Sequence, residues 1–217
     1  MCGGLGYRGM RVKIETDSAL DVTTKSPNSL ERSTPSTSFC PTGPVSAAAV
    51  ILPHDFCHEL LDDSKKLSHK RREIIYDEIT NRDDIVWAMS LGNVNEIDEI
   101  NILKSTHAAM ARAAKKLKQA PDYCLIDGLP VSGFPIPSEG IVKGDGKSLS
   151  IAAASILAKT HRDTYMEKIH QEFPVYFWSK NKGYPTVEHR NSIREFGATI
   201  HHRKSFKLLP EQLKLEL

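Results

Sequence analysis

Residues 123–127, YCLID, are apolar until the last position and end on an acid followed at once by Gly128. A strand this short and this apolar has no face suited to water, so it belongs inside a sheet covered on both sides. The covering elements flank it in the sequence. IDEINILKSTHAAMARAAKKLKQ (97–119) reads as one long helix, with Ile100, Leu103, His107, Met110, Ala114 and Leu117 at helical spacing and Pro121 just beyond. LSIAAASILAKTHRDTYMEKIHQEF (149–173) reads as a second, rich in small residues. Other strand candidates are GPVSAAAVIL before Pro53, DIVWAMSL (84–91) and IVKG (141–144). Ser68 caps a helix over HKRREIIYDEIT, with Ile74, Ile75 and Ile79 on one face, and TVEHRNSIREFG makes a last helix stopped by glycine. Strands interleaved with helices predict an α/β domain over residues 43–217.

Residues 1–42 differ. Eleven of the sixteen residues from Thr23 to Ser38 are Ser, Thr or Pro, too little apolar surface to offset the entropy of ordering, so this segment is expected to be disordered. Within it only MRVKIE (10–15) has strand character, with Val12 and Ile14 on one face. The four cysteines form no Cys-x-x-Cys pair, which fits a reducing compartment. The N-terminus lacks the apolar core of a signal peptide and no 18-residue apolar run occurs, so the expected location is the cytoplasm, with no membrane partner. A net charge of +2 places any nucleic-acid contact on local patches.

Asp127, at the C-terminal end of an apolar strand, lies where α/β sheets usually bind ligands; a turn aspartate closing the strand reads equally from position alone. Asp145 sits between Lys143 and Lys147 in a glycine turn that opens the small-residue helix. Gly146-Lys147-Ser148 imitates the end of a phosphate-binding loop, but that pattern needs glycine where Ile141 stands. Two convergent carboxylates flanked by lysines suit a hard divalent cation holding a phosphate. Asp62-Asp63-Ser64-Lys65-Lys66 reads as a solvated turn or a phosphate contact. Lys182-Gly183-Tyr184-Pro185 reads as a turn or as a stacking platform beside a lysine. His54 to His58 superficially resembles a metal cluster without a zinc-ligand spacing, and His201-His202-Arg203-Lys204 with Lys207 reads as a basic patch.

The segments LDDSKKLS, IDEINIL, LIDG, VKGDGKSLSIAAASILAKTHRD, NKGYPTVEH and HRKSF, in this order and spacing, resemble the ribonuclease HII family over roughly residues 40–207. The resemblance implies an RNase H-like fold, a mixed β-sheet flanked by helices, in a monomeric hydrolase. Such an enzyme cuts the RNA strand of RNA–DNA hybrids, or beside ribonucleotides in duplex DNA, during replication and repair, with Mg²⁺ or Mn²⁺. By the same resemblance Asp127 and Asp145 are catalytic metal ligands, Lys65 and Lys66 contact phosphates, and Tyr184 stacks on a sugar. Asp163 supports the site from behind or serves the fold.

The resemblance breaks at Cys40. The family's first strand ends in Asp-Glu-Ala-Gly-Arg-Gly, carrying two further carboxylates and a loop that senses the ribose 2′-hydroxyl. Those positions here read Thr34-Pro35-Ser36-Thr37-Ser38-Phe39, so the first strand is missing or replaced. A misassigned start, an exon error or a gene lesion would each produce this junction. Glu15 or Asp17, after MRVKI, are the acids available as substitutes. The expectation is a family ribonuclease impaired in this chain; the competing classes are a non-catalytic hybrid- or duplex-binding protein and a P-loop nucleotidase. Limited proteolysis is expected to cut first between Thr23 and Ser38, and first cuts inside 85–170 would refute the proposed boundary.

Overall fold

The structure is a computed structural model that describes the backbone of residues 11–16 and, in full, residues 40–58, 61 and 67–210. The Ser/Thr/Pro segment, Asp17 and the Asp62–Lys66 turn lie outside the described residues.

Among the described residues five strands form one sheet in the order β3-β2-β1-β4-β5. They are β1 (Arg11–Thr16), β2 (Val45–Ile51), β3 (Val86–Gly92), β4 (Tyr123–Asp127) and β5 (Ser138–Ile141). The centre of the sheet belongs to β1, which runs antiparallel to β2 and parallel to β4. The place left vacant by the family motif is therefore filled from upstream, by the one strand-like stretch of the N-terminal segment. In β4 burial alternates, with Cys124 and Ile126 inside and Tyr123, Leu125 and Asp127 half-buried, so β4 has one drier face rather than two equally dry ones.

Among the described residues six α-helices accompany the strands: α1 (His69–Thr80), α2 (Val94–Ile100), α3 (Ile102–Lys116), α4 (Leu149–Glu172), α5 (Trp178–Asn181) and α6 (Val187–Phe196). Ser68 and Thr186 cap α1 and α6, each accepting a backbone N–H from three residues on. In α1, Ile75 and Ile79 are buried while Ile74 faces solvent. The single helix expected over 97–119 is two. Asn101 takes a left-handed φ of 70°, breaks the run, and caps α3 by accepting the Lys104 N–H at 3.1 Å. Asparagine tolerates that region and supplies its own acceptor, which continuous apolar spacing conceals. The strand expected at 141–144 lies three residues earlier, because β5 pairs Ser138–Ile141 with Cys124–Asp127 and the chain then coils through a 3₁₀ turn at Gly144–Gly146.

The described chain divides into two compact units, the change along α4 falling between His161 and Arg162. In the first, Ala48 and Val50 of β2 share a core with Leu61, Ile75, Ile79, Ile85 and the α4 residues Ala152, Ala153, Ala154, Ile156, Leu157 and Ala158. The first half of α4 is buried almost all round, which explains its small residues: a helix pressed on several sides needs close approach rather than one apolar stripe. Gly140 on β5 has a comparable role. A Cβ there would lie 2.4 Å from the Pro130 nitrogen and 2.8 Å from the Gly128 carbonyl, so the loop after Asp127 rests directly on this glycine.

In the second unit, Met166, Ile169, Tyr176, Trp178, Ile193 and Leu208 form the core. Two histidines cross it in a chain whose donors and acceptors fix their tautomers. The Thr199 N–H donates to His202 Nδ1 at 2.9 Å, leaving the His202 Nε2–H to donate to His189 Nε2 at 3.2 Å. His189 Nε2 also accepts from the Trp178 indole at 3.2 Å, and its Nδ1–H donates to the Tyr184 carbonyl at 2.8 Å. Both rings must be neutral for this chain to close. The expected basic patch is thus partly internal: His202 is fully buried, and Arg203 is 2 % exposed.

Two outcomes follow from this packing. Burial first, then the neighbouring His189 and His201, holds His202 down to about 3. Its folded state stays neutral while the unfolded chain takes a proton near the ordinary ~6.5, so the stability is present above that value and lost as pH falls towards 3. Urea unfolding at pH 6.5 and pH 5 is expected to show a loss of ~2 kcal/mol from this group, and His202→Asn to flatten the slope. Gly140→Ala is expected to cost ~1–3 kcal/mol in thermal unfolding, because the 128–130 backbone must shift to admit a methyl group.

Candidate metal centre

Asp127 is tied to the turn that carries Asp145 by one short hydrogen bond. The Gly144 N–H donates to Asp127 Oδ1 at 2.6 Å, tying the residue beside Asp145 to the end of β4. Gly128 N–H donates to the Ile141 carbonyl at 3.0 Å, holding the two strand ends level. Gly128 needs its freedom for conformation, since its φ is 97° and nothing crowds the position of a Cβ. Lys143, the residue that turns the chain into the 3₁₀ coil, adopts φ 55° and ψ 46°. A lysine gains nothing from the left-handed region, and such strain, of order 1–2 kcal/mol, is typical where a turn must hold a functional group in place. Asp145 is 8 % exposed and its Oδ1 accepts the Gly146 N–H at 3.1 Å.

The donor chemistry fits a hard divalent ion. Both side chains are carboxylates, and Asp127 is oriented by a backbone donor that leaves it acceptor capacity. The number of ligands fits less well: among the described residues no group of three or more acidic, histidine or cysteine side chains is placed to hold a metal. Asp127 and Asp145 are half of what the resemblance requires.

The other predicted residues fall elsewhere. Lys65 and Lys66 lie outside the described residues. Asp163, 3 % exposed on α4, and Tyr184 belong to the second unit. There Lys182 (φ 48°) and Gly183 (φ 85°) form the turn that delivers Tyr184. A Cβ on Gly183 would lie 2.9 Å from the Thr42 carbonyl and 3.1 Å from Cys40 Sγ, so this glycine is needed for close approach as well. His58, from the superficial metal cluster, is paired with Glu78 at 2.8 Å.

Sequence reasoning overlooked the structural charges of this second unit. Arg162, 1 % exposed, donates to the carbonyls of Pro44, Lys182 and Thr42 and to Cys40 Sγ at 2.9–3.1 Å. Arg203 donates to the Gly43 carbonyl at 2.9 Å. Both clamp residues 40–45, where the family resemblance begins. Their signal was present in THRD and HRKSF, two motifs that each place an arginine directly after a histidine. Gly140 was missed for a plainer reason, since only the path of the 128–130 loop shows what a side chain there would strike.

Comparison with known proteins bears directly on these motifs. The family model for ribonuclease HII matches residues 40–209. Ribonuclease HII of Christiangramia forsetii is 54 % identical over 178 residues, covering 82 % of this chain and 89 % of that protein. The Parabacteroides distasonis enzyme is 55 % identical over 177 residues, covering 81 % and 88 %. Among solved structures, ribonuclease H2 of Pyrococcus horikoshii superposes with a TM-score of 0.66 at 19 % identity, over 91 % of this chain and 94 % of that one. RNase HII of Archaeoglobus fulgidus, solved in a complex with PCNA, gives 0.65 at 22 % identity over 94 % and 98 %. Bst-RNase HIII, solved with Mn²⁺, gives 0.65 at 15 % identity over 91 % and 67 %. The fold is that of these ribonucleases, the sequence match spans most of the chain, and the chain belongs to the ribonuclease HII family.

Proposed function

We propose that this chain, a member of a family of endonucleases that degrade the RNA of RNA–DNA hybrids, binds RNA–DNA hybrid, or duplex DNA containing ribonucleotides, as a monomer, and hydrolyses the phosphodiester slowly with Mg²⁺ or Mn²⁺ at Asp127 and Asp145. The observation that supports this reading is the 2.6 Å bond from the Gly144 N–H to Asp127, which ties the turn carrying Asp145 to the end of β4. Asp127 and Asp145 would hold a divalent ion, whose chemistry there would be activation of water and neutralisation of charge on the leaving 3′ oxygen. Asp127, fixed by the Gly144 N–H, holds its carboxylate without rotating, and the Lys143 turn keeps Asp145 at the same end of the sheet. Lys65 and Lys66 would neutralise backbone phosphates, and Tyr184 would place a flat ring against a sugar.

The rate is limited by charge. Residues 34–39 carry no carboxylate where the family has two, so two ligands from this match carry a load that four carry in relatives. Mg²⁺ gives up water reluctantly and favours near-octahedral oxygen ligation, so a half-built set holds it weakly. The Gly-Arg-Gly loop is also missing, so affinity for hybrid is carried by phosphate contacts and discrimination of the ribose is poor.

Cleavage of a duplex with one embedded ribonucleotide tests this. The chain is expected to be at least ~100-fold slower than a relative carrying the complete motif, a loss of ~3 kcal/mol in the barrier. Asp127→Asn is expected to remove the residual activity while leaving hybrid affinity within about twofold, because a phosphate-dominated contact does not pass through that carboxylate. Binding that does not weaken between 50 and 200 mM salt, on the ~10-fold scale or more that phosphate contacts impose, would contradict the binding mode. Hybrid binding with no residual cleavage would favour the non-catalytic reading.

A further inference from the structure

Tyr184 leaves a turn whose main chain is held from inside the second unit. Lys182 is left-handed at φ 48°, a strained state for lysine, and Gly183 follows at φ 85°. Such a turn persists only where its surroundings hold it. Three buried side chains do so. Arg162 donates to the Lys182 carbonyl at 3.0 Å, Asn181 Oδ1 accepts the Gly183 N–H at 2.8 Å, and the His189 Nδ1–H donates to the Tyr184 carbonyl at 2.8 Å. That carbonyl takes a second bond from the Thr186 N–H at 2.8 Å, so both of its lone pairs are used. His189 is fixed in turn. Its own N–H donates to Thr186 Oγ1 at 3.2 Å, and its Nε2 accepts from His202 and Trp178. Burial first, and Arg190 after it, hold His189 below the ordinary histidine value against the opposing pull of the Tyr184 carbonyl, so the neutral Nδ1–H tautomer persists at neutral pH.

We propose that His189 is a positioning residue for Tyr184: through the Tyr184 carbonyl it sets the direction in which the tyrosine side chain leaves the turn, and so how well its ring meets the sugar of a bound duplex. The inference rests on the reading of Tyr184 as the stacking residue. The Tyr184 N–H donates to the Asn181 carbonyl at 2.8 Å, so this residue is bonded at both ends of its main chain. With both peptide planes held, the Cα–Cβ direction follows and only side-chain rotation is left. The cost of the arrangement argues for more than packing. His189 and His202 are both 0 % exposed beside Tyr176 and Trp178, and their ring nitrogens are polar atoms that an apolar pair would not bury. What a fully satisfied polar chain supplies, and apolar packing does not, is a single geometry. Here the chain runs from Thr199 through His202 and His189 and ends on the main chain of Tyr184.

Binding of a labelled duplex with one embedded ribonucleotide, read by fluorescence anisotropy at low salt on the full chain, tests this, with thermal unfolding recorded for every variant. Tyr184→Ala is expected to weaken binding about fivefold, the loss of one stacked ring. His189→Gln puts an amide near the Nε2 position and no donor near Nδ1. It is expected to weaken binding about threefold when Tyr184 is present and by less than about 1.5-fold in the Tyr184→Ala chain, since a residue that acts through another is not additive with it. His189→Asn keeps an N–H near the Nδ1 position and is expected to bind within about twofold of the native chain, although both variants lose thermal stability. Asn and Gln variants weakened alike, in step with stability, would show that His189 serves only the core, and the inference would be wrong. A His189→Gln chain that binds as the native chain does, or that loses affinity equally with and without Tyr184, also overturns it. If Tyr184→Ala itself leaves binding unchanged, the reading of Tyr184 fails and the inference falls with it. Should His189→Gln not fold, nitrogen-15 histidine spectra of the native chain take its place. Duplex is then expected to slow exchange of the His189 Nδ1 proton at least about threefold, and not to do so in Tyr184→Ala; exchange that duplex leaves unchanged in the native chain refutes the coupling.

Discussion

The backbone edges of β2 and β4 must both be hydrogen-bonded to a strand lying between them, and everything else in the sheet depends on that. Left open, each edge would bury unsatisfied N–H and C=O groups, at a cost of ~1–3 kcal/mol per group. β1 meets the requirement from a stretch with no family sequence, pairing four residues with β2 and four with β4. Backbone pairing asks little of side chains beyond β propensity and an apolar face, which RVKIET supplies with Val12 and Ile14. A sheet is therefore more forgiving of a foreign central strand than an active site is.

The junction after that strand is held by a different device. Arg162 and Arg203 are both almost wholly buried, and the hydrogen bonds described above go to carbonyls and a thiol on residues 40–45 and 182. A buried guanidinium needs most of its donors satisfied, and carbonyl oxygens arranged around it do so without an acid. Burial pulls Arg203 down to about 10, which still leaves it charged at neutral pH. The segment Cys40–Pro44 is thus fastened by its carbonyls and the Cys40 thiol, and these contacts do not involve what precedes Cys40. That is why a domain whose leading motif has been exchanged still places Thr42, Gly43 and Pro44 against the turn that delivers Tyr184.

Legibility followed periodicity and failed where one residue overrode it. β2, α1, α4 and α6 read correctly because their apolar spacing, caps and terminal glycine agree. The break at Asn101 was hidden, because apolar spacing passes through it and only a left-handed asparagine divides it. β5 was misplaced by three residues, since IVKG is more strand-like than SEGI, and the pairing with Cys124–Asp127 decided the outcome. HHRK looks like a surface patch by composition, yet its second histidine and its arginine are internal, paired with His189 and the Gly43 carbonyl. Asp127 and Asp145 stand out in the sequence as acids beside glycines, but the hydrogen bond from Gly144 that ties the two segments together follows from no spacing rule.

The first strand of this fold carries three demands of increasing strictness, and this chain separates them. Backbone pairing accepts any strand-forming sequence. Metal binding asks for acids at particular register positions, a demand on side-chain identity that backbone pairing does not make. Sensing a ribose hydroxyl needs a glycine–arginine–glycine loop, with two positions free of side chains so that backbone can approach the sugar. Thr34-Pro35-Ser36-Thr37-Ser38-Phe39 cannot imitate it: Pro35 fixes its own φ and lacks an N–H, and no residue of the six can match glycine's freedom. The demand most dependent on sequence is therefore the one that residues 34–39 do not meet, whereas backbone pairing is met by β1.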